Sequence, residues 1–162
     1  MKHKFNLKGI RLVLLDVDGV LTDGRIGLLP TGEEIKFFSI YDGLAIKLLQ
    51  KSGVMVGFLS GRKSQSVKMR AEELGVSIVV QGSKDKVRDF KKILADEGLQ
   101  SSEVIYVGDD LPDVALLKLV GFSAAPSNAV ETVKNCVDYV TRARGGYGVV
   151  REVVDVFFQE IY

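Results

Sequence analysis

The stretch Asp16-Val17-Asp18-Gly19-Val20-Leu21-Thr22-Asp23 follows directly on the apolar run Leu12-Val13-Leu14-Leu15. Ionised carboxylates at the edge of a core demand compensation by a cation or by hydrogen bonds. Two of them, two residues apart at the end of a buried strand, suit one carboxylate as nucleophile and the other as proton carrier, with a divalent cation between them. Oxygen donors in this number favour Mg²⁺, which keeps waters, takes one or two carboxylates and leaves room for a substrate phosphate. The chemistry indicated is phosphoryl transfer, and Gly19 lets the backbone turn sharply beside it. Taken alone, Asp16 and Asp18 read equally well as turn formers at a strand end.

Three further constellations shift that balance. Leu59-Ser60-Gly61-Arg62 sets a hydroxyl, a glycine amide and a helix start at one point, which makes an anion site or, more simply, an N-cap. Lys84-Asp85-Lys86 opens a helix, where a cation opposes the macrodipole and so suggests an external anion, although most lysines are solvated surface. Gly108-Asp109-Asp110-Leu111-Pro112-Asp113 follows Val104-Ile105-Tyr106-Val107, and its three carboxylates repel one another unless something cationic sits among them. Pro112 near a helix start is compatible with capping by Asp110, which gives one of the three a structural reading.

The elements that must position these residues are short. Near-continuous apolar runs at 12–15, 54–59, 78–80, 104–107, 122–124 and 139–140 have strand length and the character of a sheet covered on both faces. Between them, 43–51, 63–74, 84–97, 111–119 and 129–135 show helical periodicity, with stops at Gly53, Gly75, Gly98 and Gly121. The expected fold is α/β: a doubly wound parallel sheet flanked by helices, in one domain over 1–162, which binds ligands beyond the carboxyl ends of its strands. One segment breaks the alternation: 24–38 reads as a hairpin around Pro30-Thr31-Gly32, projecting after the first carboxylates. With Ile26, Leu28, Ile35, Phe37 and Phe38 on a two-stranded ribbon, it is expected to pack on something, most economically a partner subunit.

Composition excludes other classes. At 162 residues with 46% hydrophobic and 27% charged residues and a net charge of +1, the chain gives no electrostatic case for nucleic acid or membrane partners. The basic N-terminus precedes an apolar run too short and too interrupted for a signal peptide or membrane span. A single cysteine, Cys136, fits a reducing cytoplasm, and with His3 the only histidine a Cys/His hydrolase or zinc site is poorly supported.

The order of the four constellations, all at one edge of the expected sheet, resembles the haloacid dehalogenase superfamily of phosphotransferases, whose motifs match Asp16/Asp18, Ser60, Lys86 and Asp109/Asp113 over nearly the whole chain. The resemblance implies a Rossmann-like core, Mg²⁺ and a covalent aspartyl-phosphate intermediate. By that resemblance Asp16 attacks phosphorus, and Asp18 protonates the leaving group and then activates water. Asp16, the main-chain carbonyl of Asp18, and Asp109 would hold the metal, with Asp110 reaching it through water. Ser60, Gly61 and Lys86 would grip phosphate oxygens, and Asp113 would orient Lys86.

The gaps between motifs are too short for a cap domain, so the chain resembles the capless members. It is most similar to the phosphatases of 3-deoxy-D-manno-octulosonate 8-phosphate, on Phe38-Ser39-Ile40-Tyr41-Asp42-Gly43, Ser60-Gly61-Arg62, Gln81-Gly82, Asp85-Lys86 and Gly145-Gly146-Tyr147-Gly148-Val149-Val150-Arg151-Glu152. That resemblance implies a cytoplasmic homotetramer of lipopolysaccharide sugar biosynthesis, each site closed by a neighbour's hairpin. Ser39, Tyr41, Asp42, Gly43 and Lys47 would line the substrate site, with Arg62 and Arg70 as candidates for the sugar-acid carboxylate because guanidinium pairs it bidentately. Glycines 145, 146 and 148 suit either approach to a ligand or a flexible lead into the last helix. Relatives often carry a polar tail, and the chain given ends at Tyr162, so closure by a tail is not expected. Relatives acting on nonulosonate 9-phosphates share the core but tend to lack Arg at position 62. A phospho-receiver would place its acceptor after the third strand, where this chain has Gln81-Gly82-Ser83. The intact acidic set argues against a non-catalytic regulatory domain.

Overall fold

The computed structural model describes residues 9–159, so His3 and the basic N-terminus lie outside the described residues, as does Tyr162. In chain order the elements are β1 (Leu12–Leu15), β2 (Gly27–Leu28), β3 (Glu34–Ile35), α1 (Ile40–Lys51), β4 (Met55–Ser60), α2 (Gln65–Leu74) and β5 (Ile78–Gln81). There follow α3 (Lys86–Glu97), β6 (Val104–Val107), α4 (Val114–Leu117), β7 (Phe122–Ala125), α5 (Glu131–Lys134), β8 (Tyr139–Val140) and α6 (Val149–Phe157). Six strands pair in parallel in the order β5-β4-β1-β6-β7-β8, while β2 and β3 form a separate antiparallel ribbon. Among the described residues no helix is long and apolar enough to cross a membrane.

The apolar runs of β1, β4, β6 and β7 are buried because strand side chains alternate between two covered faces, whereas those of the edge strands β5 and β8 are only partly covered. Val13 and Leu15 of β1 enter a core with Ile46, Leu49, Val67, Ala71, Val150 and Val153, whereas Leu12 and Leu14 enter the opposite core with Phe90, Ile93, Leu116 and Val133. Each such side chain removed from water stabilises the fold by roughly 1.5–3 kcal/mol before entropy is counted. The chain winds outward from β1 through β4 to β5, then returns to β6 and winds the other way through β7 to β8. The loops leaving β1, β4 and β6 therefore part at one switch point, where a parallel sheet opens a crevice.

Several boundaries differ from the periodic reading, each for a local reason. The helix expected from residue 43 starts at Ile40, because Ser39 Oγ accepts from the amides of Tyr41 and Asp42 at 3.2 and 3.4 Å. The helix expected over 111–119 splits into a tight turn, Leu111–Asp113, and the short α4. Asp113 Oδ2 there accepts from the amides of Asp109 and Asp110, and Asp110 Oδ1 accepts from Leu111 N, so side chains replace helical bonds. The hairpin pairs only Gly27 with Ile35 and Leu28 with Glu34. Its outer residues Leu28 and Phe37 are 72% and 77% exposed, but its returning strand is tied down, with Ser66 Oγ donating to Glu34 O at 2.9 Å.

Asp42 joins the two helices that cover β1. It is buried in the first turn of α1, and its Oδ1 accepts from Arg151 N at 3.0 Å, capping α6 from a neighbouring helix. Burial pushes its carboxyl up to about 6, while the amides of Arg151, Val150 and Gly148 pull it back down. Replacing Asp42 by Ala is expected to lower the unfolding free energy by about 1–2 kcal/mol. Urea denaturation reads this as an earlier midpoint at constant slope, and an unmoved midpoint contradicts the cap.

Candidate active site

The loop after β1 is shaped by contacts that only glycine allows. Asp16 Oδ1 accepts from Val17 N at 2.7 Å, and the wide turn Val17–Leu21 closes with Thr22 N donating to Val17 O at 3.1 Å. Gly19 has φ +93°, and a Cβ there would stand 2.0 Å from Asp109 Oδ2. Behind the turn, a Cβ on Gly145 would stand 1.8 Å from Gly19 O, and Gly146 N donates to Val20 O at 2.9 Å. Asn128 Oδ1 accepts from Gly145 N at 2.8 Å. The glycine stretch before α6 is thus a brace pressed against the Asp16 loop from the far side.

The charges around Asp16 form a closed set. Lys86, first residue of α3, reaches Asp16 Oδ2 at 2.9 Å and Asp113 Oδ1 at 2.6 Å, and donates to the Tyr106 hydroxyl at 3.1 Å. Tyr106 donates in turn to Asp113 Oδ1 at 2.6 Å. With both oxygens of Asp113 engaged, that residue organises the site by holding the ammonium and the 109–110 amides. Burial pushes Asp16 up to about 7, with Lys86 opposing and Asp113 adding to the rise. Burial likewise pushes Asp109 up to about 8, helped by Asp16, Asp113 and Asp110. Burial works against the Lys86 ammonium, but Asp16 and Asp113 outweigh it and raise its pKa. The Tyr106 hydroxyl is pushed well above its ordinary value by burial and by the same two carboxylates.

A divalent cation fits this arrangement. Carboxylate oxygens of Asp16, Asp109 and Asp113 lie within 4.8 Å of one another. Asp109 Oδ1 is buried with no hydrogen-bond partner among the described residues, the signature of an acceptor prepared for a ligand. Asp113 is consumed by its own bonds and Asp16 is held by Val17 N and Lys86, so Asp109 is the member of the three with an unused oxygen. Asp110 is exposed and caps the following turn through Leu111 N.

Ser60 ends β4 beside β1, buried, with its Oγ accepting from Arg62 N at 3.2 Å; Gly61 follows it with open space at its Cβ position apart from Ser83 O at 3.6 Å. Asp18 faces the hairpin. Lys36 Nζ, its side chain fully buried, donates to Asp18 Oδ1 and lies 3.8 Å from Glu34 Oε2. Arg62 Nη2 donates to Glu34 Oε1, and its Nε stands 4.0 Å from Asp18 Oδ2. The structure therefore brings together Asp16, Asp18, Ser60, Gly61, Lys86, Asp109, Asp113 and Arg62.

It places the other candidates elsewhere within the chain. Arg70 Nη2 donates to Ser39 O at 3.1 Å, its Nη1 pairs with Glu73 at 2.9 Å, and its guanidinium lies over Phe38, 5.8 Å from the ring centre. A Cβ on Gly43 would stand 2.4 Å from that Nη2, so Gly43, Ser39 and Arg70 build the joint between α1 and α2. Asp42 is the buried cap of α6, Tyr41 is exposed, and Lys47 is exposed with Nζ near Gly75 at the far end of α2. Sequence reasoning missed Lys36, Glu34 and Tyr106. A tyrosine inside an apolar strand, needing a partner for its hydroxyl, was the signal for the last. Lys36 offered none, since a lysine in an alternating ribbon reads as solvated.

Residues 78–153 match the haloacid dehalogenase-like hydrolase family. The 3-deoxy-D-manno-octulosonate 8-phosphate phosphatase KdsC of Escherichia coli K12 is 41% identical over 149 residues, which is 92% of this chain and 79% of that protein. The phosphatase of the same name from Moraxella catarrhalis, solved with magnesium, phosphate and KDO, superposes with a TM-score of 0.92 at 38% identity, covering 95% of this chain and 88% of that one. The cobalt-bound Haemophilus influenzae phosphatase gives 0.92 at 37% identity, covering 96% and 91%. With the parallel sheet, the absence of a cap among the described residues and the carboxylate cluster at the switch point, these likenesses make the chain a phosphatase of the haloacid dehalogenase-like hydrolase family.

Proposed function

We propose that this phosphatase hydrolyses 3-deoxy-D-manno-octulosonate 8-phosphate to KDO and inorganic phosphate through a phosphorylated Asp16, a step of lipopolysaccharide sugar biosynthesis in the cytoplasm. The observation that carries the reading is Asp16 at the end of the central strand, with Lys86 on one oxygen and the partnerless Asp109 beside it. The relatives named above act on that substrate by name.

Asp16 attacks phosphorus; the bond from phosphorus to the sugar oxygen breaks, and Asp18 delivers its proton to the departing alkoxide. A water molecule then attacks phosphorus, Asp18 takes its proton, and the bond to Asp16 breaks, freeing phosphate, restoring the Asp16 carboxylate and returning Asp18 to its protonated form. Ser60 and Lys86 hold the phosphoryl oxygens as their charge redistributes. Asp16, Asp109 and the main-chain carbonyl of Asp18 would hold Mg²⁺, which when bound offsets the repulsion between carboxylate and phosphate. Arg62 is the cation nearest Asp18 from the α2 side and is suited to the sugar-acid carboxylate.

Side-by-side turnover of the eight- and nine-carbon sugar-acid phosphates tests the substrate, with preference for the nine-carbon acid overturning it. In the same assay Asp16→Asn is expected to abolish Mg²⁺-dependent phosphate release, a loss on the order of 10³-fold or more.

The exposed apolar residues Leu28, Phe37, Ile40, Tyr41 and Leu44 lie along the hairpin and the start of α1, and they support a homotetramer in which a neighbour's hairpin closes each site. Light scattering at micromolar concentration should give four times the chain mass, and a monomeric mass refutes the assembly.

The raised carboxyls also predict a pH dependence. Both start from 3.8 in an unfolded chain and rise to about 7 for Asp16 and about 8 for Asp109 in the fold. The folded, metal-free chain therefore binds more protons between those limits, and its stability falls as pH rises from about 4 to about 8. The metal-free melting temperature should drop across that window, Asp109→Asn should flatten the drop, and Mg²⁺ should restore the native chain at the alkaline end. A level metal-free profile contradicts the cluster as described.

A further inference from the structure

Lys36 is a lysine buried against the acid/base residue of the reaction. It comes from the hairpin, it is distant in sequence, and neither phosphate binding nor metal binding uses it. Its whole side chain is buried, and its Nζ donates to Asp18 Oδ1 while Glu34 Oε2 stands 3.8 Å away. Glu34 is fixed in turn by Arg62 on its side chain and by Ser66 on its carbonyl. Burying an ammonium stem and head is costly unless the head is paired. Here the ammonium comes from the residue directly after β3 and its partner is Asp18, in the loop after β1.

We propose that Lys36 is the positioning residue of Asp18, so that proton delivery to the leaving group depends on the hairpin strand that carries it. The inference rests on the acid/base role read for Asp18 above. The Asp18 carboxylate has two oxygens in different situations: Oδ1 accepts from Lys36, and Oδ2 is buried with no hydrogen-bond partner among the described residues. Because Lys36 occupies Oδ1 as a donor, Oδ2 is the oxygen left open to exchange a proton with the leaving group. Arg62 Nε, at 4.0 Å from that oxygen, is too far to hold it by a hydrogen bond. The proton passes from Oδ2 to the sugar oxygen as its bond to phosphorus breaks, and Oδ2 takes a proton back from water in the second step. Without Lys36 the carboxylate is free to rotate about its side-chain bonds, and neither oxygen is held in line with the leaving group.

A merely structural lysine and a positioning lysine differ in leaving-group sensitivity. An alkyl phosphate needs protonation of its departing oxygen, whereas p-nitrophenyl phosphate leaves as a stable phenolate and needs little. At saturating Mg²⁺, the ratio of kcat/KM for the sugar-acid phosphate to that for p-nitrophenyl phosphate should fall about tenfold or more in Lys36→Met, within the range that proton transfer contributes. Both rates are measured on one sample, so a partly unfolded variant lowers them together and leaves the ratio readable. Lys36→Gln repeats the measurement should the buried methionine impair folding. Asp18→Asn supplies the reference ratio. If Asp18→Asn lowers the ratio and both Lys36 variants leave it at the native value, the proposal is overturned while the acid/base reading stands. If Asp18→Asn itself leaves the ratio unchanged, that reading fails and takes the proposal with it.

Discussion

Mutual repulsion among Asp16, Asp109 and Asp113 at the end of the central strand is the constraint from which the local architecture follows. Carboxylates this close cannot all be ionised in a low-dielectric edge without positive charge among them. Lys86 supplies one such charge, and it can do so only if α3 begins where it does, with Asp85 taking the N-cap and accepting from Arg88 N at 2.9 Å. Tyr106 and two backbone amides complete the coordination of Asp113, leaving Asp109 as the member with an unused oxygen. A helix start, a strand tyrosine and a tight turn thus answer one electrostatic problem.

The hairpin solves a different one. A phosphatase without a cap must still separate its leaving group from bulk water. The returning strand does part of this inside a single chain, by burying Lys36 over Asp18 and pinning Glu34 between Arg62 and Ser66. The tip does not, and its apolar side chains face outward. Arg70, Ser39 and Gly43 knit α1 to α2.

Much of this was legible because it is encoded locally. Continuous apolar runs predict covered strands, and a glycine just after a periodic segment predicts its end, as at Gly75 and Gly98. The carboxylates were legible because Asp16, Asp18, Asp109 and Asp113 each directly follow a buried strand or lie in the loop after one. Illegible were contacts whose partners are far apart in sequence and ordinary in kind. Asp42 looks like a first-turn acid until Arg151 arrives above it, and Lys36 looks like surface until the hairpin folds back. Gly145 offered two readings, and the structure adds a third, because the space that a Cβ would fill belongs to the backbone of Gly19.

That last contact ties an early loop to a late one in time as well as space. Synthesis makes the Asp16 loop early and its brace only after all the strands from β1 to β8. Until Gly145 and Gly146 dock, the carbonyl of Val20 lacks its bond from Gly146 N and that of Gly19 lacks the backbone packed against it. A nascent chain that has not yet reached Gly145 therefore carries Asp16 on a loop without its backing, and the loop acquires its geometry only after the whole sheet has been made.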